Sequence, residues 1–436
     1  MFPCSSHYYI YVATKGDISL THFTYGKDLS QEPVRAHKES VTAEEWVAGA
    51  SGATSLYVHV PFCFHKCHYC DFFSIVGNAS QHELFVERVT KELKYLRPFL
   101  GEIETVFIGG GTPTLLSEPL LQKLVFSIKE NVTFFKDYEW TIEANPETVN
   151  RAKADLLVSA GVNRVSVGAQ SFNLKMLKNL ERWHDPESVG ISVGAFRSAG
   201  IKNINLDLIY SIPGQTKSIL NEDLQCLLDL SPEHLSCYTL TYEQNTPLLH
   251  RLHVGDVTRI EHELEAEMLD IVQNTLSSSG YLQYEISNFA KFGYECRHNL
   301  SYWNNKYWWP VGPSASGHLY GKRWKNTPRL SEYLDTSDLS PVIDIEELGI
   351  DAQVGESFML GLRLIKGMSI SLVEQLLDRP ETRWRKKVIE NYLVNGYLVQ
   401  EGSFLRLSSE GVRFADCVIS DLLMQEESTT DSSIDE

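Results

Sequence analysis

No uninterrupted apolar run in this 436-residue chain reaches the ~18–20 residues that a helix needs to cross a bilayer, which argues against a helical membrane protein. Positive charge is also short. The 39 Lys and Arg stand against 57 Asp and Glu, a formal net charge of −18. The basic surface that non-specific nucleic-acid binding needs is therefore missing, and no nucleic-acid partner is expected. Cysteine is sparse for the length, with eight in all. Cys4, Cys226, Cys237, Cys296 and Cys417 are scattered, which excludes a disulfide scaffold and fits a reducing compartment. Residues 1–54 have neither a basic start followed by an apolar core nor the Arg-rich, acid-poor composition of a transit peptide, so a cytoplasmic protein is expected.

The other three cysteines fall in one stretch, Leu56-Tyr57-Val58-His59-Val60-Pro61-Phe62-Cys63-Phe64-His65-Lys66-Cys67-His68-Tyr69-Cys70-Asp71-Phe72. Their spacing is Cys63-x3-Cys67-x2-Cys70, in a loop after a short apolar strand. Three thiolates this close can hold three irons of a 4Fe–4S cubane and leave the fourth open to a small molecule. The cysteines alone leave two alternatives: a disulfide pair, or a zinc site whose fourth ligand is His65, His68 or a distant residue.

From Ser55 the chain alternates strand and helix. Strands are expected at 55–60, 105–108, 140–144, 164–167, 203–209 and 234–239, and helices at 81–96, 118–129, 152–160, 186–199, 219–230 and 261–276. Six such steps predict parallel strands joined by right-handed crossovers, either as an open doubly wound sheet or as a barrel. Residues 280–320 read as irregular and aromatic. Helices follow at 355–364 and 372–377, then helix, hairpin and helix over 383–423, an order that suggests a small winged-helix-like unit. Tyr8 to Val12 reads as a strand. The domains expected are an N-terminal extension of no assigned function at 1–54, a core at 55–280, a C-terminal α+β region at 281–424, and a disordered acidic tail at 425–436.

The cysteine triplet after a strand, within Tyr57-x-His59-x-Pro61-Phe62-Cys63, resembles the radical S-adenosylmethionine (SAM) superfamily. Within it, the chain is similar to the oxygen-independent coproporphyrinogen III dehydrogenases and their relatives, the HemW-type heme chaperones. The resemblance runs from about Ser55 to about Arg413. It decides between the two architectures, implying an α/β core shaped as a partial (β/α)6 barrel. It also implies a 4Fe–4S cluster on Cys63, Cys67 and Cys70, and SAM at the carboxyl ends of the strands, where ligands of barrel-like α/β folds sit.

The SAM residues it implies are Tyr57 and Tyr69, Gly110, Gly111 and Thr112 in the run Gly109-Gly110-Gly111-Thr112-Pro113-Thr114, Glu143, Gln170, Arg182 and Asp207, with Thr241 a weaker match. The residue types suit the task. Glycines let backbone approach a ligand, a buried carboxylate needs a positive or hydroxyl partner, and a guanidinium suits a carboxylate. By resemblance, the reduced cluster passes an electron to the sulfonium of SAM and a 5′-deoxyadenosyl radical forms. No residue is assigned a catalytic role beyond cofactor binding.

Two features favour the chaperone branch. Phe72 stands where the dehydrogenases usually carry a further cysteine, and His298-Asn299-Leu300-Ser301-Tyr302-Trp303 matches the HNxxYW motif of the chaperones. A histidine can ligate heme iron. His298, with Tyr302, Trp303, Trp308 and Trp309 as apolar walls, is therefore a candidate heme site, and Cys296 is a second possible ligand. The alternative is an aromatic core around a hydrogen-bonded histidine. The resemblance implies heme, a heme-acceptor protein and an electron donor as partners, with membrane contact only through the acceptor. The alternative function is the oxidative decarboxylation of coproporphyrinogen III in porphyrin biosynthesis. A radical SAM enzyme acting on nucleic acid is disfavoured by the acidic balance. One loop departs from the family: Ser211-Ile212-Pro213-Gly214-Gln215-Thr216 has Ser211 where glycine is usual.

Overall fold

Strand β1 (Ser55–Val60) sets the pattern of the core. Side chains alternate across a strand, so Leu56, Val58 and Val60 point one way, fully buried among apolar groups, and Ser55, Tyr57 and His59 point the other. The computed structural model describes residues 7–14, 17–24 and 43–423; the acidic stretch 425–436 lies outside the described residues. The same alternation recurs in β2 (Glu102–Gly110), β3 (Thr133–Ala144), β4 (Arg164–Gln170), β5 (Asn203–Tyr210) and β6 (His234–Thr239). Val106, Ile108, Ile142, Val165, Val167, Ile204, Leu206 and Leu235 join one apolar core, together with Phe85, Val89, Leu93 and Leu124 from the helices. Thr105, Thr141, Glu143, Ser166, Asn205, Asp207 and Ser236 occupy the opposite face.

These six strands pair in sequence order and are all parallel. The intervening helices are α1 (Ala79–Leu96), α2 (Glu118–Asn131), α3 (Arg151–Ala160), α4 (Pro186–Ala199) and α5 (Lys217–Asp229), and α6 (His262–Ser278) follows β6. Right-handed crossovers that never reverse direction put every helix on one face of the sheet. That face is apolar, and the polar alternate residues are left to line the other. Helix α1 starts in a capping box, in which Asn78 accepts from the Gln81 N–H and the Gln81 side chain accepts from the Asn78 N–H, each at 3.0 Å. Its apolar stripe is Phe85, Val89, Leu93 and Leu96, whereas Leu84 is exposed.

The segment read as irregular, 280–320, is instead structured. It contributes β7 (Leu282–Glu285), β8 (Asn288–Ala290), the helix Arg297–Trp303, β9 (Trp308–Val311) and β10 (Ser316–Leu319); β11 (Lys322–Asn326) and β12 (Val342–Glu347) follow. The six strands join the barrel sheet, whose order is β12-β11-β10-β9-β1-β2-β3-β4-β5-β6-β8-β7. Strand β9 is parallel to β1, with Trp308 opposite Ser55 and Val311 opposite Val58. Contacts divide the chain near 346/347.

The second unit holds 303–305, the 347–423 segment and the antiparallel hairpin His7–Thr14/Asp17–Thr24, which contains the strand expected at Tyr8 to Val12. Helices Ile350–Gly361, Ile370–Leu376 and Arg385–Val394 precede the hairpin Leu398–Glu401/Phe404–Leu407, and Met368–Ser369 pairs with the latter strand. The helix-then-hairpin order is the one read from the sequence. The expected final helix is two, Ser409–Arg413 and Ala415–Leu423. The buried Arg385 guanidinium donates to the carbonyls of Leu422 and Leu423 at 2.7 and 3.1 Å, closing the last turn.

Ser211, in place of the usual glycine, keeps the backbone that glycine favours. Its φ is +61°, and its buried hydroxyl lies 3.8 Å from the Met268 sulfur.

Candidate cofactor site

The cysteine loop leaves β1 and is tied back to it. The Cys63 N–H donates to the Ile75 carbonyl at 3.0 Å and the Ile75 N–H to the Pro61 carbonyl at 2.7 Å, while a turn closes from Cys70 N–H to Cys67 carbonyl at 3.1 Å. Cys63, Cys67 and Cys70 are half-buried free thiols. Burial and the neighbouring Cys67 push the Cys70 thiol up to about 12, and burial raises Cys63. Thiols held protonated by the low-dielectric loop have to lose those protons to a metal.

The glycine run packs against this loop. The Gly111 N–H donates to the Val60 carbonyl at 2.8 Å and the Thr112 N–H to the Phe62 carbonyl at 2.7 Å. Gly110 has φ +100°, and a Cβ there would lie 2.3 Å from the His59 ring; a Cβ on Gly111 would lie 2.6 Å from the Phe62 carbonyl oxygen. Only glycine fits either position. The Thr112 hydroxyl approaches the Cys63 sulfur at 3.7 Å and accepts from the Asn145 amide at 3.1 Å. Asn145 Oδ1 accepts from Arg182 at 3.1 Å, and the same guanidinium donates to the Gly168 carbonyl at 2.7 Å and lies 3.9 Å from the Cys67 sulfur. Asn145 thus joins the glycine loop to the arginine. Arg182 Nε is buried with no hydrogen-bond partner.

Three further candidates close the polar face. Glu143 accepts from the Gly110 N–H at 3.0 Å, and burial, reinforced by the nearby Asp207 charge, raises its carboxyl to about 8. Asp207 accepts from Asn205 at 2.7 Å and from the Ser166 hydroxyl at 3.3 Å, and burial raises its pKa as well. Tyr57 donates to His59 Nδ1 at 3.0 Å, because the other ring nitrogen must donate to the Phe73 carbonyl at 2.8 Å. Gln170 sits in a strand irregularity at φ +63°, a strained conformation for a side-chain-bearing residue. Tyr69 packs beside Leu180, Ile209 and Leu248. Tyr57 and Asp207 lie midway along their strands, and the other candidates lie at or beyond the carboxyl ends; Thr241, beyond β6, is exposed.

The proposed heme residues are elsewhere. His298 Nδ1 lies 2.7 Å from the Thr105 hydroxyl, near the start of β2, and its Nε2 lies 2.9 Å from the Tyr302 hydroxyl. Thr105 and Gly110 are five residues apart on β2, roughly 16 Å of strand. The helix Arg297–Trp303 thus covers the amino end of the barrel, opposite the cysteine loop. Glu139 on β3 caps it, accepting the N–H groups of Arg297 and His298 at 3.0 Å each and the Cys296 thiol at 3.5 Å. His298 is fully buried, with both nitrogens engaged, and burial together with Arg164 lowers its pKa to about 3. In this arrangement both ring nitrogens are occupied by hydroxyl partners, so an axial bond to iron would require the Tyr302 or Thr105 contact to open. Cys296 is equally buried and bonded. Trp309 is a core residue against Trp324, Trp308 packs between Tyr302 and His318, and Trp303, in the second unit, lies under the Arg363 guanidinium at 5.0 Å.

A hydrogen-bonded chain runs from the middle of the polar face to the amino end of the barrel. From Asp207 it passes to Asn205, whose Oδ1 accepts from His234 Nδ1 at 2.6 Å. His234 Nε2 then meets the Tyr284 hydroxyl at 2.9 Å, and Tyr284 accepts from the Cys296 N–H at 3.4 Å. None of the residues between Asp207 and Cys296 was singled out from sequence as functional. Their signal was the polar residue at every second position of each strand.

Comparison with known proteins agrees with this anatomy. The radical SAM superfamily model matches residues 57–227, and the HemN C-terminal domain model matches 351–414. Heme chaperone HemW of Bacillus subtilis is 34% identical over 362 residues, covering 82% of this chain and 96% of its own. That of Lactococcus lactis is 34% identical over 320 residues, 73% of this chain and 84% of its own. The Escherichia coli protein of the same name is 37% identical over 275 residues, 61% and 70%. Among solved structures, the coproporphyrinogen III oxidase HemN of Escherichia coli, a radical SAM enzyme, superposes with a TM-score of 0.73 at 22% identity, over 86% of this chain and 91% of its own. The fold is thus the radical SAM partial barrel with a C-terminal α+β region. No described helix is long and apolar enough to cross a membrane.

Proposed function

The chain belongs to the HemW family of radical SAM proteins, and on that premise we propose that it binds heme and delivers it to an acceptor protein. It carries a 4Fe–4S cluster on Cys63, Cys67 and Cys70, with SAM bound by Tyr57, Tyr69, Gly110, Gly111, Thr112, Glu143, Gln170, Arg182 and Asp207. The observation that carries the reading is the shared identity with proteins named heme chaperone over 84–96% of their length. The likeness to HemN, at 22% identity, speaks for the fold alone. Phe72, in place of a further cysteine, supports the chaperone over the dehydrogenase.

The residues suit both cofactors. Three free thiols share one loop, with a single guanidinium close by. Glu143 and Asp207 form no ion pair among the described residues, although burial makes each costly to ionise. A ligand bearing cationic groups answers that need, and the partnerless Arg182 Nε suits its carboxylate. When bound, the reduced cluster supplies one electron to the sulfonium of SAM. The protein's part is to hold and shield: Gly110 and Gly111 bring backbone close, Glu143 and Asp207 take positive charge, Arg182 takes negative charge, and Tyr57 closes the wall. A protein electron donor reduces the cluster, and the protein works in the cytoplasm, meeting membrane only through its acceptor.

The test is anaerobic reconstitution with iron and sulfide, followed by hemin titration and a coproporphyrinogen turnover assay on one sample. The proposal expects hemin bound in simple stoichiometry, transfer to an apo-acceptor, and no carbon dioxide above background. Sustained formation of protoporphyrinogen would establish the dehydrogenase instead.

A further inference from the structure

With His298 buried at the amino end of the barrel, the heme of the proposed function needs another seat. We propose that it lies on the outer rim of the cysteine loop, against Phe64, His65 and Trp183. This inference rests on the heme-chaperone reading.

Phe64 and Trp183 are 65% and 66% exposed, among the most exposed large apolar side chains described. They come from different elements, the cysteine loop and the segment after Arg182, yet meet edge to face with centroids 6.2 Å apart. His65 stacks on Trp183 at 4.7 Å, its plane tilted by 21°. The imidazole covers one indole face. His65 Nε2 is buried in this arrangement and has no hydrogen-bond partner, so a turn of the ring about its side chain would bring an unsatisfied nitrogen out to a ligand. Lys66, next in the loop, is exposed. Flat apolar rings, an imidazole and an ammonium group in one place are what a porphyrin iron with two propionates requires.

The size of the patch favours a macrocycle over a protein. Two rings left two-thirds exposed offer on the order of 250 Å², whereas a stable protein interface needs about 800 Å² from each partner. His65 lies two residues from both Cys63 and Cys67, so a heme held here would border the cluster.

The test uses the full-length protein, reconstituted anaerobically and titrated with hemin. Trp183→Ala should raise the hemin Kd roughly tenfold, the loss of one well-packed aromatic contact. His65→Ala should shift the Soret band, and added imidazole should restore it. His298→Ala should leave the band in place. If the parent protein binds hemin and Trp183→Ala and His65→Ala both bind it as the parent does, the seat is wrong and the chaperone reading stands. Unchanged hemin binding with slower cluster reduction by a donor protein would make the patch a donor contact and overturn the seat. A parent protein that binds no hemin overturns both.

Discussion

The His298 imidazole and the Thr105 hydroxyl meet at 2.7 Å across 193 positions of sequence, and that contact fastens the HNxxYW helix to the start of β2. It gives the motif a structural role and separates it from the cofactor end of the barrel. His298→Ala should therefore unfold more easily without losing a heme ligand. Removing a buried ring and orphaning its partners should cost about 2–4 kcal/mol. Denaturant unfolding beside a hemin spectrum checks this; a lost axial band at unchanged stability contradicts it.

The three thiols of the cysteine loop should act together. Changing Cys63, Cys67 or Cys70 to Ala should remove most bound iron, while Cys226→Ala should remove none. Iron analysis and paramagnetic resonance of the reduced protein, with and without SAM, decide. Zinc at full occupancy after anaerobic purification would count against the cluster.

Asp207→Asn should weaken SAM while iron stays constant. Losing one charge-assisted hydrogen bond is worth about 1.5–3 kcal/mol, roughly ten- to hundredfold in Kd. Calorimetry on reconstituted protein gives the number, and an unchanged Kd removes Asp207 from the site.

Glu143 makes SAM binding depend on pH. Burial and Asp207 raise its carboxyl from 4.5 to about 8. Without ligand the group is protonated below that value, so binding a cationic ligand to its carboxylate means releasing a proton. Affinity should rise with pH up to about 8 and then level off. For the free protein the sign is opposite: the folded state holds this proton more tightly than the unfolded chain. Its stabilising effect is full below about 4.5 and is lost as pH rises through about 8. Glu143→Gln should flatten both profiles.

Ser211 holds a left-handed backbone that costs a side-chain-bearing residue roughly 1–2 kcal/mol. Ser211→Gly should stabilise the protein, by up to about 1 kcal/mol after the added freedom of the unfolded chain is counted. A melt of the two proteins checks the sign.

Much of the fold was legible because its strands are long and its helices well marked. One decision taken from family resemblance was also written in the residues. In a doubly wound sheet both faces are covered and strands read as continuous apolar runs. Here Ser55-x-Tyr57-x-His59, Thr141-x-Glu143 and Asn205-x-Asp207 alternate polar with apolar, so only one face can carry helices. Residues 280–320 were misread because their strands span three or four residues and β9 contains Pro310, which normally argues against a strand. The cysteine spacing was legible in itself. That His298 faces away from those cysteines was not, because nothing local tells which end of a barrel a later helix will cover.

The cap formed by residues 297–303 also has a kinetic consequence. On the proposed function, with that end covered, SAM would arrive and depart past the cysteine loop. Whatever rests on that rim stands in the doorway. The residence time of SAM, followed by stopped-flow displacement, would then lengthen while cargo is aboard and shorten once it is handed over, so one rate constant would report the loading state.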